Sequence, residues 1–463
     1  MLFNSYPFIF LFLPISVAVY FLLNRLRWYA AGNAWIALAS LFFYGYWNIK
    51  YLPLLLGSIT YNYFIGWLLA GTRQEEKSRR RKAVLITGIA GNVALLAYYK
   101  YTDFFLTVVE EATGTPTTLL HIVLPLGISF FTFTQIAYLV DAYKGKVKET
   151  NPVNYVLFVT FFPHLIAGPI LHHSEMMPQF DRLRGKFWNW QNVARGCTIF
   201  CIGLFKKVVI ADTLAIHANN GFDTAVNALE SWVAVLSYTF QLYFDFSGYT
   251  DMAIGAALIL NIRLPQNFNS PYKAVSIQDF WRRWHMTLSR FLRDYIYIPL
   301  GGNRRGELVA ARNLLITFLI GGFWHGAGWT FIFWGLLHGV AQAIHRVWMK
   351  SGRKLPVFPA WLLTFLFINV TWVFFRAEDW GQAIRILEGM AFLHGSGLPQ
   401  AREFLLPLLL LAAVFPIVVF ARNSTEQTER MRPSFRQAAF IAALFVVSLL
   451  FLNRISEFLY FNF

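Results

Sequence analysis

The chain reads as an all-α polytopic membrane protein, and three observations carry that reading. Charged residues make up 14% of its 463 positions, where a soluble domain carries about a quarter. Hydrophobic residues reach 57%, aromatic residues 18% and mean hydropathy +0.47. Apolar stretches close to the roughly 20 residues that cross a hydrocarbon core recur along the whole sequence. No aqueous fold covers that much apolar surface, so lipid must be the solvent for much of it.

Spans are expected near 8–23, 34–47, 52–70, 83–99, 119–140, 193–217, 232–260, 361–375, 404–420 and 437–452. The first run, Phe8 to Leu23, has no basic segment before it and no small-residue cleavage site after it, so it reads as an uncleaved span. With the N-terminus outside and simple alternation, the segments 24–33, 71–82, 141–150, 261–312, 350–360 and 421–436 fall inside. These hold Arg25 and Arg27, the cluster from Arg73 to Lys82, Lys144, Lys146 and Lys148, the stretch from Arg282 to Arg312, Lys350 to Lys354, and Arg422 to Arg436. The outer loops 100–118 and 218–231 carry Asp103, Glu110, Glu111, Asp223 and Glu230. Basic loops on one side are what membrane insertion selects. Both termini then face out. The same pattern accounts for the net charge of +16 without nucleic acid, which is excluded as a partner.

Two segments depart from simple spans. Residues 153–171 hold Phe161-Phe-Pro163-His164 and Gly168-Pro169. Residues 313–349 enter and return to one side, breaking near Trp324-His325-Gly326-Ala-Gly328. Irregular backbone at membrane depth survives only where protein or a water-filled cavity covers it, so both point to an interior cavity. No linker or repeat divides the chain, which reads as one membrane domain over 1–463. Cys197 and Cys201, four apart, share a helix face and read as packing. His164, His172, His173 and Glu175 match no metal-site spacing and read as structural or cavity-lining.

The segment 261–312 is chemically distinct. Ser276 and Asp279 form a weak capping box. Trp281, Trp284, Leu288, Phe291 and Tyr295 then recur at three and four, with Arg282, Arg283, Arg290 and Arg293 largely off that face. This fits an amphipathic helix on the cytoplasmic leaflet. It also fits recognition of a phosphorylated donor, since guanidinium pairs with phosphate in two-pronged fashion. The two readings are compatible.

His325 and His338 lie in a run that otherwise looks embedded in lipid. Ionisable groups there are costly and usually functional, although a neutral imidazole with its hydrogen bonds satisfied can also be core. Glycines beside His325 allow close approach of a backbone or slender ligand. Histidine titrates near working pH, as a general base must. No nucleophile adjoins it in sequence, so direct transfer with His325 deprotonating an acceptor is the simpler mechanism. Asp294 and Asn303 are candidates to orient the ring. Gln241, Asp245, Ser247, Tyr249 and Asp251 interrupt the seventh span and suggest a tunnel wall.

The run from Asn267 to Gly302, with Phe280-Trp-Arg-Arg-Trp-His285 and Arg293-Asp-Tyr295, resembles the membrane-bound O-acyltransferase (MBOAT) family. The likeness is to its bacterial branch of alginate O-acetylases and related polysaccharide or peptidoglycan O-acetyltransferases. Phe244-Asp-Phe-Ser-Gly-Tyr-Thr-Asp251, Leu165-Ile-Ala-Gly-Pro169 and Gly322-Phe-Trp-His325-Gly support it. The resemblance implies a helical ring of about 10–12 membrane helices with re-entrant segments and a central tunnel. It places the family's essential histidine at His325 and a second at His338, with Asp294 fitting an upstream polar position by spacing.

It further implies a cytoplasmic thioester donor, acetyl-coenzyme A or similar; the residues themselves offer Arg282, Arg283, His285, Arg293, Tyr295, Asn303 and Trp324 as candidate donor contacts and Asp245 and Gln241 as candidate tunnel lining. No bound cofactor or metal is expected. The acyl group would pass out of a bacterial inner membrane, often to a separate secreted or membrane-anchored transferase that modifies a polymer such as alginate. Whether His325 is a base or an acyl relay stays open. D-alanyl transfer towards teichoic acid is the rival within the family, and a proton-coupled transporter the rival outside it.

Overall fold

The computed structural model describes residues 1–71, 79–147, 149, 151–398, 404–432, 434–453 and 459. Arg73 to Ser78 of the first basic cluster, and Lys148, lie outside the described residues. The described chain is helical without strands. In order the helices are α1 (Leu13–Arg25), α2 (Tyr29–Gly45), α3 (Leu52–Gly71), α4 (Arg79–Thr113), α5 (Ile128–Tyr143), α6 (Pro152–Thr160), α7 (Phe162–Leu165), α8 (His173–Asp181), α9 (Trp190–Phe205) and α10 (Asp212–Thr224). They continue with α11 (Ala228–Ile259), α12 (Ile277–Arg283), α13 (Met286–Leu292), α14 (Glu307–His325), α15 (Trp329–Lys350), α16 (Val357–Arg376), α17 (Trp380–Met390), α18 (Leu405–Phe420), α19 (Ser424–Glu429) and α20 (Phe435–Phe451).

Five described stretches are long and apolar enough to cross a bilayer: Phe8–Arg25, Ile49–Ala70, α4, α14 and α16. Helices α18 and α20 are apolar but shorter. This is a membrane protein. Contacts between residues gather the described chain into two compact units, one of Met1–Cys201 with Tyr249–Pro265, the other of Ile202–Gly248 with the described residues from Gln266 onward.

The first unit packs on aromatic rings. Phe3, Phe8, Phe12, Phe43 and Phe162 stack or cross with centroids 4.8–6.0 Å apart. Helices α3 and α4 are joined by a reciprocal amide pair, Asn62 Nδ2 to Asn92 Oδ1 at 3.1 Å and Asn92 Nδ2 to Asn62 Oδ1 at 2.6 Å. Such polar pairs hold helices together where lipid offers no alternative partner.

Helix α4 continues to Thr113, so the outer loop expected over 100–118 is mostly helix. The carboxylate of Asp103 accepts the Leu120 and Ile122 N–H groups, so an acidic residue read as loop is a helix residue that pins the following strap. That strap delays α5 to Ile128, where Gly127 adopts φ 70° with the Leu165 carbonyl too close for a Cβ. The broken segment at 161–171 is almost wholly buried in this unit. The Phe162 N–H donates to Ser40 Oγ. His164 bonds the Phe158 carbonyl at 2.9 Å, His172 faces Asp141, and His173 faces Glu149 at 3.2 Å.

In the second unit Lys207, 3% exposed, lies 2.7 Å from Asp212 and 2.6 Å from Asp245. Asp245 also accepts the Leu459 N–H. Asp245 is therefore one corner of a closed ion triad. Tyr272 ties this unit's interior, donating from its hydroxyl to the Thr239 carbonyl and accepting Trp372 Nε1.

Candidate active site

The single amphipathic helix expected over 276–295 is two short helices meeting at His285, which sits in the left-handed region at φ 41°. A left-handed backbone is costly for a residue with a Cβ, and here the segment before α12 enforces it. The Asn269 N–H bonds the Arg283 carbonyl and the Met286 N–H bonds the Asn267 carbonyl, both at 2.9 Å. Asn267 Oδ1 accepts the Thr287 N–H and hydroxyl and meets His285 Nδ1 at 3.2 Å. The apolar face is covered by protein: Trp281, Trp284, Leu288 and Phe291 are buried. Helical spacing identifies an apolar face without saying whether lipid or protein covers it, which is why the leaflet reading does not hold.

Helices α14 and α15 form a hairpin broken at 326–328, where the sequence places the turn. A Cβ on Gly322 would collide with the Phe331 carbonyl oxygen, and one on Gly335 with that of Phe318. The two helices therefore touch backbone to backbone, the small-residue packing favoured inside membranes. His325 follows Gly322 by three residues and His338 follows Gly335 by three, so this contact sets both rings.

His325, 2% exposed, ends α14. Its ring meets Trp324 at 4.9 Å, Trp334 and Phe375 at 5.2 Å, and His285 at 6.5 Å. His338 is fully buried against Trp334 at 4.7 Å, and its Nδ1 accepts the Trp281 indole N–H at 3.1 Å. Three histidines thus gather in one aromatic cage that excludes water.

Beside the cage lies a pocket of about 830 Å³. Its wall carries Arg282, Arg290, Arg293, Arg346 and Lys350, without a carboxylate among the lining residues, and it includes Asn303, Trp281 and Phe318. Trp281 and Phe318 both contact the His338 ring. Glu307 pairs with Arg346 and Lys350 at 2.7 Å.

Of the residues the sequence singles out, the structure brings His325, His338, His285 and Trp324 into the cage, and Arg282, Arg293 and Asn303 to the pocket. Others sit elsewhere. Asp294 is held by its neighbour Arg293 at 2.7 Å, so it does not orient His325; that bond and the paired charge raise the Arg293 pKa. Arg283 is taken up by Asp279 and the Asn269 carbonyl. Tyr295 packs on Phe291. Asp245 and Gln241 are buried in α11 and do not line the pocket. Sequence reasoning missed Trp281, Asn267 and Lys207. A donor-only indole four residues before the noted His285 was a signal for Trp281, whereas nothing local links Asn267 or Lys207 to its partners.

Buried histidines in an aromatic cage, beside a basic pocket in a helical membrane protein, make up the candidate centre. The profile of the MBOAT, membrane-bound O-acyltransferase family matches residues 142–377. The chain is 47% identical to the peptidoglycan O-acetyltransferase of Helicobacter pylori, covering 100% of this chain and 98% of that one. It is 42% identical to the "Probable alginate O-acetylase AlgI" of Pseudomonas aeruginosa over 84% of this chain and 75% of that one. A teichoic acid D-alanyltransferase of Bacillus subtilis is 31% identical over 54% of this chain and 66% of its own. The chain belongs to the membrane-bound O-acyltransferase family and is an O-acyltransferase. The transporter reading gives way to this.

Proposed function

We propose that the enzyme takes an acetyl group from a cytoplasmic thioester, acetyl-coenzyme A or a chemical relative, and passes it through a bacterial inner membrane for O-acetylation of an exported cell-envelope polysaccharide. The observation that carries this is the basic pocket whose wall, at Trp281 and Phe318, touches the histidine cage. Donor phosphates pair with Arg282 and Arg290, whose forks suit phosphate oxygens, while Arg293 stands on the same wall bonded to Asp294. The donor arm leads the thioester towards the cage, where exclusion of water protects it from hydrolysis.

At the centre His325 takes the proton of an attacking hydroxyl, or accepts the acyl group itself and releases it outward. In either course a bond forms at the acyl carbon, the C–S bond breaks, and the thiolate leaves on the donor side and is protonated there. A polysaccharide acceptor, peptidoglycan or alginate in type, is supported by the names of the relatives matched over most of this chain. A separate periplasmic or membrane-anchored transferase would complete polymer modification.

The test is reconstitution in liposomes with radiolabelled acetyl-coenzyme A, comparing wild type with His325→Ala. Donor turnover in wild type, lost in a folded His325→Ala protein, supports the reading. Equal turnover in the two overturns His325 as the centre, and a wild type that never consumes the donor, with its partner supplied, overturns the donor.

A further inference from the structure

The indole of Trp281 is a donor only. Its N–H points at His338 Nδ1 at 3.1 Å, so Nδ1 must be the unprotonated nitrogen, and in the neutral ring the proton sits on Nε2. That Nε2 is buried and has no hydrogen-bond partner among the described residues. A buried donor without a partner is uncommon and calls for a reason.

His285 provides an internal contrast. Asn267 Oδ1 accepts from the Thr287 N–H, which fixes that atom as oxygen, and it faces His285 Nδ1. Nδ1 of His285 therefore carries the proton, and its Nε2, likewise buried and unpartnered among the described residues, is a lone pair. The His285 ring, 6.5 Å from His325, and the His338 ring, which shares Trp334 with it, are held in opposite tautomers. One presents a donor, the other an acceptor.

The His338 ring is tied to the pocket wall through its neighbours. Trp281 lines the pocket while bonding His338, and Gln342, one helical turn beyond His338, lines it too. We infer that His338 Nε2–H is the binding site for the thioester carbonyl oxygen, with Trp281 as the positioning residue that keeps the proton on Nε2. This rests on the acyl-transfer reading above and adds to it a hydrogen-bond donor for the oxygen that gains negative charge when the acyl carbon is attacked. An N–H aimed where charge develops is worth most where water is excluded.

Two measurements test this. Histidine-¹⁵N-labelled protein in liposomes, read by solid-state NMR with the His338 signal assigned by its loss in His338→Leu, should show a protonated Nε2 and bare Nδ1 near neutral pH. Trp281→Phe should give mixed tautomers. The reverse tautomer in wild type, or no change in Trp281→Phe, overturns the inference.

The second compares binding of acetyl-coenzyme A with S-ethyl-coenzyme A, the thioether lacking the carbonyl. Wild type should prefer the thioester by about tenfold, the scale of one buried hydrogen bond. His338→Leu should lose that preference, while His338→Gln, which keeps an N–H near the same place, should retain much of it. A preference unchanged in His338→Leu, or absent in wild type, sinks the proposal. His325→Ala turnover on the same preparations tests the parent reading separately.

Discussion

Asn62 and Asn92 in the first unit and His285 and His338 in the second are all buried polar side chains, yet they are satisfied to different degrees. Each asparagine amide is used on both sides: Nδ2 reaches a backbone carbonyl and the partner amide, and Oδ1 accepts in return. Each histidine is bonded on one nitrogen and, among the described residues, unpartnered on the other. A closed pair contributes to holding helices together and nothing else. A half-bonded ring costs stability and leaves an atom for something that arrives later, which is how functional positions break the rules that stable ones keep.

The largest expected effect is among the buried histidines. His325→Ala should lower acyl transfer about 10²- to 10⁴-fold, the usual contribution of a positioned acid or base, with unfolding temperature in detergent little changed. A comparable loss of stability would place His325 with the asparagines. Lys207→Met should do the opposite, leaving Asp212 and Asp245 buried without their cation. Loss of one partner of a buried ion pair costs about 3–5 kcal/mol, so yield and unfolding temperature should fall sharply. Adding Asp212→Asn and Asp245→Asn should restore much of it.

Gly335→Ala tests geometry directly, because its Cβ would meet the Phe318 carbonyl and push the α14–α15 hairpin open. A displacement near 1 Å can cost about 10²-fold in rate, so turnover should drop further than stability does. Asn62→Leu should cost about 1–3 kcal/mol through the Asn92 amide it orphans, with turnover per folded molecule unchanged. Asn62→Leu combined with Asn92→Leu should recover most of that loss.

The smallest effect is at Lys186, which burial pulls down to about 8 from its usual value near 10.5. The folded state then binds fewer protons than the unfolded one between those values, so stability rises with pH there. Unfolding temperature should climb from pH 8 to 10 in wild type and flatten in Lys186→Met.

Much of this was legible in the sequence for physical reasons. Hydropathy declares the membrane class because lipid must solvate what water cannot. The hairpin break shows in the glycines after His325, and the histidines stand out because ionisable groups are rare in such runs. What the sequence hides is partnership across distance. Lys207 finds Asp245, and Trp281 finds His338, through packing that no local spacing records. The kink at His285 is invisible too, since nothing in Trp284-His285-Met286 forbids a continuous helix; the clamp from Asn267 and Asn269 bends it.

Because α14 and α15 meet through bare backbone at Gly322 and Gly335, that contact holds no side chain to trim, and adding one forces the helices apart. The rings they carry form a rigid block that tolerates little variation. Gln278, Met286 and Met349 on the pocket wall stand outside that contact. Change in donor length or shape can therefore accumulate at those positions without disturbing the reaction centre, so the same chemistry can be kept while its substrates diverge.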